Sequence, residues 1–337
     1  ADGPFDLVYE RYSLWSGGAI AYARGVGGCT SLVEVNAPLI DEQAAWRELP
    51  LPRHARRLAR HVFRHADGLL AVSPGVADWL RGFDGVSGPI EVVPNGVDPA
   101  RFRPREPAGE TTVPGPAPSA APSPAPSAVA VAAAAAAAVR RPLTIGFVGT
   151  LKPWHGLPTL IDAWARLRAR GIDARLLLVG DGPERKGLMA ALQRRGLMAH
   201  AELTGAVAPD RVPSLLARMD IAVAPYPPRE DFYFSPLKLY EYQAAGLPVV
   251  CSRVGHLDRV IRDGHDGLLF PAGDAIALAA TLARLATAPT LRARLGRNGR
   301  ARVIAGHTWD SVAHRILALA TEVGGTAAGQ RTTEPVR

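Results

Sequence analysis

Short apolar runs recur along the chain, separated by longer segments in which apolar residues fall three and four apart. Before residue 105 the runs DLVYE, SLVEV, GLLAVS and IEVVPNGV read as strands, the last ending in an Asn–Gly turn. The stretch from about Arg53 to His65 and the segment SPGVADWLRGF read as helices. Ser73 is the expected cap of the second helix, with Pro74 in its first turn. After residue 142 the alternation resumes. LTIGFVG, ARLLLVG, AELTG, DIAVAPY and PVVCS read as strands, with helices through LPTLIDAWARLRAR and ERKGLMAALQRR. Several helices follow, ending with an amphipathic stretch from about Trp309 to Glu322. Val-, Ile- and Leu-rich strands alternating with helices predict parallel sheets covered on both faces, an α/β chain of doubly wound units.

The pattern breaks once. From Thr111 to Val139 there is no charged residue, only Pro, Ala, Ser, Gly, Val and Thr. Proline fixes φ and removes donors, and such small side chains bury too little to offset ordering entropy. The expected organisation is therefore a first unit over 1–105, a disordered Pro/Ala-rich linker over 106–141 and a second unit over 142–305. A C-terminal helix over 306–325 and a disordered tail over 326–337 complete it. The first unit shows only three or four strands and opens almost directly on one, so it reads as incomplete.

Composition narrows the class. The 337 residues suit two ordinary domains, and 47% hydrophobic content excludes a wholly disordered chain. Two distant cysteines, Cys29 and Cys251, exclude a disulfide scaffold and show no metal-ligand spacing. No basic segment followed by an apolar run opens the chain, and no run of about 18 apolar residues occurs. A cytoplasmic protein is expected. The net charge of +8 raises nucleic acid as a partner, because Arg53, Arg56, Arg57, Arg60 and Arg64 cluster with His54, His61 and His65. Leu58, Val62 and Phe63 fall at helical spacing among them, which makes a basic amphipathic helix. No nucleic-acid-binding module accompanies it, so nucleic acid is not expected. The face suits peripheral contact with anionic lipid at the inner membrane, or an ordinary solvated surface. The segment HVFRH lacks the glutamate of a zinc-protease helix, and no metal is expected.

In open parallel sheets, ligands bind beyond the carboxyl ends of strands, where helix N-termini offer unpaired N–H groups. Three loops of the second unit fit. GTLKPWHG follows LTIGFV; here Gly149 permits close approach, Thr150 begins the turn, and Lys152 and His155 are candidate cationic donors to a phosphate. GDGPER places Gly182 and Pro183 in a tight entry to the next helix. The third loop, PYPPREDFYFSPLKLYEYQAAGLPVVCS, is the most informative. Ser235 is the expected cap of a helix beginning at Pro236, leaving the N–H groups of Leu237 and Lys238 free beside the Lys238 ammonium. Glu241, about one and a half turns on, is placed to accept from a pair of sugar hydroxyls. A pyrophosphate at the helix tip and a ribose against Glu241 fit one nucleotide. Only Lys152, Lys186 and Lys238 are lysines among the 39 basic residues, so two of the three fall in candidate phosphate loops.

These stretches carry a resemblance. VSPGV, VVPNGVDPARFRP, IGFVGTLKPWHG, LLLVGDGP, LTGAV, SPLKLYEYQAAGLPVV and GLLF resemble, in order, the motifs of the family 4 retaining glycosyltransferases of the GT-B fold. YERY at Tyr9–Tyr12 and LVEVNAP at Leu32–Pro38 resemble the later part of that family's first domain. The resemblance implies two Rossmann-like domains facing a cleft, the first incomplete here. It implies transfer of a sugar from a nucleotide-diphosphate sugar, with retention, to a glycan, lipid or small-molecule acceptor. No cofactor is implied. Glu241 would contact the donor ribose, and Ser235, Leu237 and Lys238 the diphosphate. Lys152 and His155 would add positive charge that stabilises the leaving group, so that no divalent metal is needed. Lys152, Lys238 and Glu241 are the residues expected to act in catalysis.

Three departures stand out. Thr150 and His155 occupy positions where the family usually has Arg and Lys. The first of the family's paired glutamates falls at Tyr233, with Glu230 or Asp231 the candidates to take over. The glycine-rich loop and histidine of the family's first domain have no counterpart, which predicts donor binding with poor transfer. A nucleotide-sugar-binding or scaffold protein, and a sugar-nucleotide epimerase or phosphorylase of the same fold, are the alternatives.

Overall fold

The computed structural model describes residues 4–86, 88–105 and 142–331. The linker expected at 106–141 lies outside these residues. The first unit is a four-stranded sheet of β1 (Leu7–Arg11), β2 (Thr30–Val35), β3 (Gly68–Ala71) and β4 (Ile90–Val92), in that spatial order and parallel throughout. β2 and β3 are buried along nearly their whole length, as continuous apolar strands must be when both faces are covered. One face packs on the helices Pro52–His65 and Pro74–Arg81, through Val33, Val35, Leu69 and Ala71 against Ala59, Val62, Phe63 and Val76. Ser73 caps the second of these helices as expected, its Oγ accepting from the Val76 N–H at 3.2 Å.

The second unit is a six-stranded sheet of β5 (Leu143–Val148), β6 (Ala174–Val179), β7 (Ala201–Leu203), β8 (Ile221–Ala224), β9 (Val249–Arg253) and β10 (Leu268–Pro271). Its order is β10-β9-β8-β5-β6-β7, with every pairing parallel. The strand pattern anticipated all but β10, which is only four residues long and follows a loop rather than a helix-length segment. Alternate residues along each strand serve opposite cores. Ile145 and Phe147 face the helices Leu157–Ala169 and Ala275–Thr287, while Val148, Leu177, Val179 and Cys251 face the helix Leu237–Ala244. Successive strands run outward from β5 on one side and from β8 on the other. The strand order therefore reverses between β5 and β8, which is where a doubly wound sheet opens a crevice at its carboxyl edge.

The chain then returns to where it began. The helix Pro289–Gly306 packs on the 237–244 helix and the last helix, Trp309–Arg331, crosses to the first sheet. Val312, Leu319 and Val323 cover Leu32, Leu70 and Val93 there, and the Arg315 guanidinium donates to Glu91 at 2.9 Å and to the Val92 carbonyl at 2.6 Å. This helix runs past residue 325 to Arg331, so 326–331, expected within a disordered tail, are helical. The free face of β2 and β3 supplies the apolar surface on which it sits. Among the described residues no helix is long and apolar enough to cross a membrane.

Candidate active site

Both sheets aim their carboxyl edges at one cleft of about 550 Å³. Each strand of the first sheet delivers the residue at or just past its end: Arg11 from β1, Asn36 from β2, Val72 from β3 and Asn95 from β4. The second sheet supplies Val148 and Gly149 from β5 and Tyr226 from β8, the two strands that flank the reversal of order. Phe234, Ser235, Leu237, Lys238 and Glu241 complete that wall. The two walls are clasped at the 232–235 loop. Ser73 Oγ donates to the Tyr233 carbonyl at 2.5 Å, and Asn95 Nδ2 reaches the Ser235 carbonyl at 3.5 Å.

The helix Leu237–Ala244 begins one residue later than expected. Pro236 holds the cap position, so Ser235 sits too early for its Oγ to reach the first-turn N–H groups, and it makes no cap bond. That Oγ is instead buried without a partner, as is the Oδ1 of Asn36 on the opposite wall. Leu237 and Lys238 still have no carbonyl one turn behind them, which leaves their N–H groups and the positive end of the helix directed at the cleft. The helix is pinned to the end of β5 by the Val148 N–H, which donates to the Tyr242 hydroxyl at 2.7 Å.

Lys238 is the electrostatic centre. Its Nζ lies 4.6 Å from the ring centroid of Phe147, 5.5 Å from that of Tyr226 and 3.1 Å from His155 Nε2. Burial pushes its pKa from 10.5 down to about 7, and the Glu241 carboxylate opposes that fall. Burial raises Glu241 in turn, against the pull of Lys238 and Arg101. His155 Nδ1 lies 2.5 Å from the Thr150 carbonyl, which can only accept, so Nδ1 carries the proton and Nε2 is left to accept from Lys238. Burial, then the neighbouring ammonium, lowers His155 to about 3. His155 is consequently neutral and does not add the positive charge expected of it. Its Nε2 accepts from Lys238 instead.

The remaining expected residues divide. Gly149 lines the cleft at a φ of 147°, and a Cβ there would lie 3.0 Å from Lys238 Nζ, so glycine is needed for the ammonium to sit where it does. Gly182 lies away from the cleft; a Cβ on it would stand 2.5 Å from the Leu151 carbonyl oxygen, and its turn braces the 149–151 loop. Thr150 acts through its backbone carbonyl. Lys152 does not line the cleft; its ammonium lies 5.2 Å from the ring centroid of Trp154. Arg11, Asn36 and Asn95, to which the sequence motifs assign no role, lie at or just past strand carboxyl ends, where ligands of open parallel sheets gather. Glu42, on a helix (Leu39–Trp46) that no periodicity announced, had no such signal.

Two family patterns match the chain, Glycosyltransferase Family 4 over residues 2–101 and Glycosyl transferases group 1 over residues 142–288. A D-inositol 3-phosphate glycosyltransferase of Actinosynnema mirum is 31% identical over 333 residues, covering 94% of this chain and 72% of the relative. The chain belongs to glycosyltransferase family 4. An MMP alpha-(1->4)-mannosyltransferase of Mycolicibacterium hassiacum is 29% identical, with 94% of this chain and 70% of the relative covered. Among solved structures, sucrose-phosphate synthase from Thermosynechococcus elongatus superposes with a TM-score of 0.70 at 23% identity, over 96% of this chain and 74% of that one. HepE from Anabaena, solved with UDP and glucose, gives 0.65 at 20% identity over 96% and 78%. The fold is thus GT-B, two Rossmann-like domains about a cleft. Within this family 4 member, Tyr233 turns into the first domain's core and offers no carboxylate to the cleft. Of its two candidate substitutes, Asp231 is gripped by the Arg229 guanidinium at 3.0 and 2.7 Å. Glu230 lies with it in an adjoining recess outside the cleft lining.

Proposed function

We propose that the chain transfers a sugar from a nucleotide-diphosphate sugar to an acceptor hydroxyl, with retention at the anomeric carbon. The observation that carries this reading is the convergence of the Lys238 ammonium, the N–H groups opening the 237–244 helix and the unpartnered Ser235 Oγ where the strand order reverses. The diphosphate would lie against those donors, with Glu241 accepting from the ribose hydroxyls. As the bond from the anomeric carbon to the diphosphate lengthens, negative charge grows on the departing oxygen. Donors already fixed in place stabilise that charge without reorganising. The acceptor, whether glycan, lipid or small molecule, would enter from the wall of the first domain, between Arg11, Asn36 and Asn95.

A thermal-shift panel of UDP, GDP and ADP with their sugar conjugates tests the first half of the reading. A ligand at a hundred times its Kd adds about 2.7 kcal/mol of apparent stability, which moves the midpoint by several degrees. Release of the nucleoside diphosphate in the presence of acceptor tests the second half. No shift with any member of the panel would refute the reading.

A further inference from the structure

We propose that Glu42 is the residue that holds the hydroxyls of the transferred sugar. This rests on the glycosyl-transfer reading above. Among the described residues lining the cleft, the carboxylates are Glu241 and Glu42. Glu241 shares a helix with Lys238, whereas Glu42 enters from the opposite wall, on the first turn of the helix Leu39–Trp46. Glu42 is half-buried, and among the described residues its carboxylate makes no hydrogen bond or close ion pair, although its charge reaches the Arg229 guanidinium. Its acidic neighbours are all engaged or displaced. Asp41 accepts from Trp79 Nε1 at 2.6 Å and lies 3.5 Å from Arg56, and Asp231 is held by Arg229. Glu230 faces the side recess, which Glu42 also borders, and unlike Glu42 it does not line the cleft.

Position along the cleft assigns the partner. The wall of the second domain runs Tyr233, Phe234, Ser235 and then the helix to Glu241, and Ser235, Leu237 and Lys238 mark the diphosphate. Glu42 adjoins the Tyr233 end, close enough that its charge helps burial raise the Tyr233 phenol to about 12. With a ribose against Glu241, the sugar on the far side of the diphosphate comes to Glu42. A carboxylate with two free oxygens accepts from two vicinal hydroxyls and favours the positive charge that grows on the ring as the anomeric bond breaks. The chain thus supplies from its first domain the carboxylate that Tyr233 cannot.

The test compares wild type, Glu42→Ala, Glu42→Gln and Glu42→Asp by calorimetry with UDP against UDP-glucose and GDP against GDP-mannose. Transfer rates are measured alongside with the pair that binds. The expected result is that Glu42→Ala holds the nucleoside diphosphate within about twofold of wild type. Sugar-nucleotide affinity or turnover should fall about 10- to 100-fold, the worth of hydrogen bonds to a charged group. Glu42→Asp should recover part of the loss and Glu42→Gln less. Unchanged sugar-nucleotide binding and turnover in Glu42→Ala would overturn the assignment, and so would an equal loss for the nucleoside diphosphate alone. Failure of the wild type to bind any nucleoside diphosphate would defeat the glycosyl-transfer reading itself, and it is measured first.

Discussion

Raising the pH from 6.5 to 9 should weaken sugar-nucleotide binding through a single group, the Lys238 ammonium. In the free protein burial holds its pKa near 7, against 10.5 in water. That difference amounts to roughly 5 kcal/mol of discrimination against the charged form, taken as an upper bound. A diphosphate bound beside the ammonium would restore the value of the charge, so the bound state should keep its proton to much higher pH. Below pH 7 the free protein already carries the proton and affinity is flat. Above pH 7 the proton must be taken up on binding, and affinity falls toward a limit of about tenfold per pH unit, about 50-fold between pH 7 and 9. A sugar nucleotide is the right probe, because its diphosphate, esterified at both ends, has no second ionisation in this range. At pH 8 about nine-tenths of free Lys238 is neutral, so calorimetry in buffers of different ionisation enthalpy should report an uptake of about 0.9 proton. His155, held near 3 with Nε2 as an acceptor, contributes nothing to that count. Lys238→Met should abolish both the uptake and the pH dependence and weaken binding at pH 7 by more than tenfold. An affinity that stays level from pH 6.5 to 9, with no proton taken up at pH 8, would refute the reasoning.

The same shift predicts a stability effect of opposite sense in the free protein. A lysine with a depressed folded-state pKa costs stability fully below about pH 7 and ceases to do so above 10.5, so Lys238→Met should raise the melting temperature most at pH 6 and least at pH 10. Gly149→Ala should lower sugar-nucleotide affinity more than tenfold while leaving the fold in place. It forces a left-handed backbone and puts a methyl group 3.0 Å from Lys238 Nζ; wild-type affinity would show that the ammonium has room to move. Leu319→Ala should cost about 2–4 kcal/mol and release hydrogen-exchange protection in β2 and β3, since Leu319 packs with Leu32 and Leu70; unchanged protection there would detach the last helix from the first sheet. Arg53, Arg56, Arg57, Arg60 and Arg64 are all exposed on the 52–65 helix, two of them lying near Asp41 and Asp84. At about 1 kcal/mol each near an anionic surface, they should bind phosphatidylglycerol vesicles at 50 mM salt and release them at 500 mM. Absence of sedimentation with such vesicles at low salt would remove the membrane from the list of partners.

Much of the architecture was legible because both sheets are covered on two faces. That requirement makes the central strands largely apolar, and runs such as LTIGFV and ARLLLV stand out against the helices between them. The turn glycines were legible for a similar local reason: Gly149, Gly180 and Gly182 hold positive φ values that other residues rarely adopt. Charge assignments fared differently. Lys152 and His155 are three residues apart and both read as candidate cations, yet one lies beside Trp154 and the other is neutral beside Lys238. Burial and the partner across the loop set those states, and neither is written in the residues' spacing.

The order of strands, helices and loop motifs, and with it the family, follows from the sequence alone, because periodicity and local backbone preferences act within a few residues. The tertiary structure decided which residues share a cleft. It set Arg11, Asn36, Asn95 and Glu42 opposite Ser235, Lys238 and Glu241, from segments 140 to 230 residues apart. It also turned Tyr233 into the core of the first domain and sent the last helix back to cover the first sheet. Desolvation and distance govern whether a lysine is an ammonium and whether a glutamate meets a sugar, and both are properties of the packed chain.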